Sequence, residues 1–139
     1  MDPARRPVVQ LDLDGGGTGW VLADDVEPVA VVEPWAALLP VLDPTVMGWK
    51  ERGFYLGPHG PQLFDRNGNA GTTAWWDGRI VGCWVQDEEG VVRLSLLEDV
   101  GPDGLAALER EARRLTAWLD GTVIGNVYAS RQMKQARLP

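Results

Sequence analysis

Gln10 and Asp12 flank Leu11 in a stretch where apolar and polar residues alternate. On a strand the two side chains share one face, as paired catalysis by an amide and a carboxylate requires. A second set is cationic. Lys50 and Arg52 follow a short segment bracketed by prolines, and Arg66, Asn67 and Asn69 sit in a Gly-rich loop. Lys50 and Arg52 have the chemistry to hold phosphate. Arg52 can instead pair with Asp43 or Glu51 and secure the turn. Arg66, Asn67 and Asn69 have the chemistry of a nucleic-acid contact, while asparagine also tolerates the left-handed backbone and can simply make the turn. Trp20, Trp75, Trp76 and Trp84 offer flat faces on which a base could stack. On alternating strands they serve equally as core.

Other polar groups carry less. Cys83 is the single cysteine and sits in an apolar run, which predicts a buried, inert thiol. His59 is the single histidine, so the Cys/His ligands of a zinc centre are missing. No metal and no cofactor is expected. The Gly15-Gly16-Gly17 run is not followed by Lys-Ser or Lys-Thr, and aspartates flank it, so it reads as a plain turn.

The elements that must position these residues follow from periodicity. Residues 8–13 and 18–23 alternate and are joined by the glycine turn, predicting a hairpin. Residues 29–32 form a short apolar run, expected as a strand, and residues 36–39 a further buried segment. Asp43 and Pro44 suit the N-cap and first turn of a one-turn helix ending near Trp49. Residues 58–71 read as a polar loop. Asp77-Gly78 supplies the positive φ of a type I′ turn, predicting a hairpin of residues 73–76 and 79–86, with residues 91–97 as the next strand. Leu105, Leu108, Ala112, Leu115 and Leu119 fall on one stripe of a helix, with Asp103 as N-cap and Gly121 just past its end. Residues 122–128 are expected as a final strand. The fold class is α+β: a mainly antiparallel sheet curled towards a small barrel, with one long amphipathic helix and one short helix. Residues 1–7 read as a flexible leader and residues 8–139 as a single β-rich domain.

The 139-residue chain carries a net charge of −7, which opposes strong autonomous binding to nucleic acid. The charges are unevenly spread. Seven carboxylates and no Lys or Arg lie between Pro7 and Trp49, whereas residues 131–139 contain Arg131, Lys134 and Arg137 and no acid. No apolar stretch approaches the ~20 residues of a membrane span. A single cysteine fits a reducing cytoplasm.

Three segments carry a family resemblance: residues 38–52, residues 63–71 and the Asp77-Gly78-Arg79-Ile80-Val81-Gly82 hairpin, together with the helix ending in Trp118-Leu119-Asp120-Gly121. They resemble the C-terminal region of the winged-helix DNA-binding family that includes bacterial DNA glycosylases acting on alkylated bases and interstrand crosslinks. The resemblance implies DNA repair and DNA as a partner. Such enzymes use a Gln-apolar-Gln or Gln-apolar-Asp triplet against a cationic base, which is already a good leaving group, so water orientation and stabilisation of an oxocarbenium ion suffice. Gln10-Leu11-Asp12 has that form. The family's triplet lies far upstream of the Leu-Leu-Pro segment, however, and here the separation is under thirty residues. No catalytic residue is therefore assigned, with Gln10 and Asp12 kept as weak candidates. The expectation is a stand-alone or truncated C-terminal domain that supports DNA binding through Lys50, Arg52, Arg66, Asn67 and Asn69, with a partner chain supplying the winged helices. The alternative is a small-molecule-binding or protein-interaction module with a Trp-lined pocket.

Overall fold

In the computed structural model, residues 6–136 are described. Contacts divide the chain into two units, Met1–Glu33 and Pro34–Pro139. Most of the leader expected over residues 1–7, and Arg137 of the basic tail, lie outside the described residues. In the first unit, the alternating segments pair as expected. Strand β1 (Val8–Asp12) runs antiparallel to β2 (Thr18–Leu22), from Val8↔Leu22 to Asp12↔Thr18. The amide of Ala23 donates to the Pro7 carbonyl at 2.9 Å.

Residues 29–32 are not a strand. Val29, Val31 and Val32 are exposed, and prolines at 28 and 34 bound the run. A proline cannot donate to a ladder, and an apolar run without a partner strand has nothing to extend it.

In the second unit, β3 (Ala36–Leu39), β4 (Thr73–Trp76), β5 (Arg79–Gln86) and β6 (Val92–Leu96) form one antiparallel sheet in the order β3-β4-β5-β6. Asp77 and Gly78 both take positive φ, +47° and +79°, as the I′ turn requires. The register slips by one residue where Ala74 pairs Gly82 and Trp75 pairs Ile80, leaving Val81 as the extra residue of a bulge. The bulge resets the alternation. Ile80 packs in the same cluster as Cys83 and Val85, while Val81 packs with Ala74 and Leu108 in another.

The sheet is covered on both faces. Helix α1 (Pro44–Met47), α2 (Gly53–Leu56), α3 (Gly60–Leu63) and α5 (Arg131–Ala136) bring Val46, Tyr55, Leu56, Leu63 and Met133 against Trp75, Ile80, Cys83 and Val85. Helix α4 (Gly101–Leu119) brings Leu108, Ala112 and Leu119 against Ala74, Val81, Trp84 and Val92. This corrects two expectations. Among the described residues there is no closed barrel, because β3 and β6 remain edges. A sheet covered on both faces buries its apolar residues without closing. There are also several short helices rather than one. Residues 58–71, expected as a polar loop, begin in a 3₁₀ turn (Gly57–His59) and α3 before reaching the loop proper.

Helix α1 is capped as expected, with Asp43 Oδ1 accepting from the Thr45 amide at 2.9 Å and Pro44 in its first turn. Helix α4 is not. It begins at Gly101, its N-cap is Val100, and Asp99 Oδ1 accepts from the Gly101 amide at 2.8 Å. Asp103 lies inside the first turn, where a carboxylate suits the positive end of the helix dipole. The buried stripe includes Gly104, Ala107, Leu108, Ala112 and Leu119. Leu105 is exposed, because it stands about 100° round the helix from Gly104.

Residues 122–128 are coil, not a strand. The Gln86 side chain supplies the reason. Its Nε2 donates to the carbonyls of Gly90 and Thr122, and its Oε1 accepts from the Ile124 amide. A side chain thus occupies backbone groups that a ladder would have used.

Candidate nucleic-acid interface

Asp65 shapes the loop that carries Arg66, Asn67 and Asn69. Its Oδ1 accepts from the amides of Asn67 and Asn69 at 2.8 and 2.9 Å, and its Oδ2 from the Asn69 side-chain amide at 2.9 Å. The Asp65 amide donates to the Asn69 carbonyl, and a bridge between Phe64 and Ala70 closes the loop below. The side-chain amide of Asn69, foremost, and then the backbone amides of Asn69 and Asn67 hold the Asp65 carboxyl below the usual carboxylate range, with Lys134 adding in the same direction.

A folded-state pKa below the unfolded one means that the stabilisation is fully present above the unfolded value, about 3.9. It is lost as pH falls through the lower folded value. Amide resonances of Asn67 and Asn69 should therefore move together below that point, and Asp65→Ala should produce the same loosening at neutral pH. Unchanged Asn67 and Asn69 amides in Asp65→Ala would remove Asp65 from this role.

Asn69 is thus spent on the loop, whereas Asn67 contributes its backbone and leaves its side chain exposed. Arg66 is exposed on the same loop. Arg52 is half-buried. Its Nη1 donates to the Val46 carbonyl at 2.7 Å, and its guanidinium lies 4.6 Å from the Phe64 ring centroid. Its partners are a carbonyl that ties α1 to α2 and an aromatic face, not Asp43 or Glu51. Phe64 therefore joins Arg52 to the Asp65 loop. Lys50 is exposed beside the exposed Trp49, and no hydrogen bond or ion pair holds it among the described residues.

Gln10 and Asp12 lie in the other unit, on β1. Gln10 Nε2 donates to Thr18 Oγ1 at 3.4 Å across the hairpin, and both Gln10 and Asp12 are exposed. Trp75 and Trp84 are core residues whose indole N–H groups reach Thr73 Oγ1 and the Leu39 carbonyl, both at 2.9 Å. Trp20 is exposed on β2. Grooves of about 660, 560 and 630 Å³ are lined by no tryptophan, whereas half-buried Trp76 lines a smaller one of about 250 Å³.

Cys83 is fully buried, and burial pushes its thiol up to about 12. That leaves it protonated and unreactive at neutral pH. His59 is buried and hydrogen-bonded through Nε2 to Glu98 Oε2 at 3.0 Å, and Glu98 also accepts from Arg79. The three side chains tie the 3₁₀ turn to the end of β6. Among the described residues no three His, Cys, Asp or Glu side chains gather to hold a metal ion. No described helix is long and apolar enough to cross a membrane.

Sequence reasoning put Arg66, Asn67 and Asn69 on one loop but missed Asp65 and Phe64, which shape that loop and join it to Arg52. The available signal was Asp65-Arg66-Asn67-Gly68-Asn69 itself, since an aspartate two residues before an Asn-Gly pair is suited to accept amides from the turn it starts.

Fold and site together define an α+β domain built on an antiparallel sheet, with a loop bearing Arg66 that follows one of its short helices. The family model described as AlkZ-like DNA glycosylase matches residues 3–118, and the chain belongs to that family. It is similar in fold to the Streptomyces sahachiroi DNA glycosylase AlkZ, with a TM-score of 0.63 at 21% identity over 79% of this chain. The chain spans 31% of that protein's length. No curated protein matches it in sequence.

Proposed function

We propose that this chain is the C-terminal, DNA-supporting part of a DNA-repair glycosylase system, and that winged helices and bond cleavage are supplied by other residues or a partner chain in the cytoplasm. The observation that carries the reading is the family match over residues 3–118, which takes in Lys50, Arg52 and the Asp65 loop. Lys50 and Arg66 are exposed and Arg52 is half-buried on an otherwise acidic protein, so contact with DNA rests on local cations against a repulsive net charge. Lys50, Arg52 and Arg66 hold phosphates, which orient the domain on DNA without reading its sequence.

The test is binding of labelled duplex DNA across a salt series. Two or three phosphate contacts from this set contribute roughly −2 to −3 to the log–log slope, since each contact releases about 0.9 counterion. Lys50→Ala should weaken every sequence about equally. Asn67→Ala should leave melting unchanged, whereas Asn69→Ala should lower it through the lost bonds to Asp65. No base release from alkylated DNA is expected from this chain. Excision abolished by Gln10→Ala or Asp12→Asn would overturn the supporting role and make the chain an enzyme. Absence of any DNA binding at low salt would sink the reading itself.

A further inference from the structure

The Asp65 loop faces α5 across a solvent-open groove of about 630 Å³, within the roughly 300–1,000 Å³ of small-ligand sites. Phe64 and Pro61 contribute apolar lining, and Arg66, Arg131 and Lys134 contribute the cations. Asp65 is the single carboxylate among the lining residues, and its oxygens are occupied by the loop's own amides. Elsewhere Arg79, Arg93, Arg113 and Arg114 each pair with a carboxylate, while Lys50, Arg52 and Arg110 have no such partner among the described residues. Among the described residues none of the three groove cations has such a partner.

Helix α5 is set in place before any ligand arrives. Met133 is fully buried, and its Sδ accepts from the Thr72 amide at 3.3 Å. Gln132 Nε2 donates to Ser95 Oγ at 2.8 Å. A Cβ at Gly71 would stand 2.7 Å from both Met133 Sδ and Ser130 Cβ, so the backbone under the groove meets α5 with no room for a side chain. Arg131 and Lys134 are three residues apart and so share a side of the helix. Both lie beyond residues 3–118, so the α5 wall of the groove is not part of what the family match describes.

We propose that this groove binds a DNA phosphodiester through Arg66, Arg131 and Lys134, with the attached sugar or base lying on Phe64 and Pro61. Three cations against the one carboxylate of Asp65, whose charge Lys134 already senses, leave the open space net positive, which favours an anion, and the apolar lining favours a nucleotide over a bare ion. The proposal rests on the DNA-supporting reading above and extends it to a second wall.

The experiment compares Arg131→Glu, Lys134→Glu and Lys134→Gln with Arg110→Glu in the full chain, using fluorescence anisotropy of a labelled duplex and of its single strand. Arg110 is exposed on α4 and carries the same charge change away from the groove lining. The two groove reversals should weaken binding by roughly tenfold or more, as loss of charge-assisted hydrogen bonds does. Each should also flatten the salt slope by about 0.9. Lys134→Gln should show a smaller loss in the same direction, and Arg110→Glu a change of less than about twofold. Melting temperatures of all four should stay close to the parent's. If DNA binds but Arg110→Glu weakens it as much as the groove reversals, or if the groove variants bind like the parent, the groove is overturned and the wider reading stands. If the parent binds no DNA at low salt, both fall. If millimolar inorganic phosphate then shifts the Arg131 and Lys134 amide resonances, the groove is a free-anion site and not a DNA site.

Discussion

Leu108→Ala should lower the unfolding free energy by ~2–5 kcal/mol, the usual cost of a cavity where a fully buried leucine has been removed. Leu108 has no exposed surface and packs in one buried cluster with Ala74 and Val81 on the face that α4 covers. Leu105→Ala, only three residues away, should change stability by less than ~0.5 kcal/mol, because Leu105 is 43% exposed. Leu115, half-buried against Trp84 and its neighbours, should fall between them. Urea melts of the three variants measure this order directly. Equal losses at 105 and 108 would mean that α4 lies on the sheet through a different stripe.

Gly82→Ala should cost at least ~1–3 kcal/mol, the range for overpacking a filled interior. The atoms in the way are backbone. A Cβ at Gly82 would stand 2.8 Å from Leu96 Cα and closer still to the Ser95 carbonyl oxygen. A side chain could rotate aside, but β6 can yield only by parting from β5 along Gly82↔Leu96 and Cys83↔Ser95. The checks are thermal melting and amide exchange in residues 92–96. A melting point unchanged within a degree, with those amides as protected as before, would show that the two strands do not approach so closely.

The sequence was most legible where a local rule has one solution. Asp77-Gly78 fixes a turn, and the turn fixes the β4–β5 pairing. Asp43-Pro44 likewise fixes the start of α1. It was least legible where a distant side chain decides. Residues 122–128 have strand-like composition, yet Gln86, 36 residues before Thr122, binds their backbone. The valines near residue 30 needed a partner strand, which periodicity cannot supply. The barrel failed for a related reason: alternation identifies the faces of a strand but not how many layers will cover them. The bulge at Val81 was equally hidden, because the six continuous apolar or glycine positions from Ile80 to Val85 leave no alternation whose break could be noticed.

The candidate interface divides in the same way. Residue types alone identified Arg66 as a cation, with Asn67 and Asn69 as polar neighbours, on a loop. They did not show that Asp65 spends its charge on that loop, or that Arg52 reaches it through Phe64. Arg131 and Lys134 were visible as basic residues near the chain end. Their place across a groove from Arg66 depends on Met133 meeting Thr72, 61 residues earlier in the chain.

That same span has a kinetic consequence. The β4–β5 and β5–β6 pairings join neighbours in the chain, so they close short loops and can form early. Docking of α5 brings Met133 to Thr72 and so waits on the sheet, and once α4 is in place only the connection from Asp120 to Ser130 remains to close. Helix α5 should accordingly dock after the sheet has formed, and it can detach in a partial opening of the native protein that breaks the Met133 packing. Detachment would dismantle the groove while the sheet and α4 stayed intact. The lifetime of the cationic cleft is then governed by an opening step of six residues, not by the global stability of the domain.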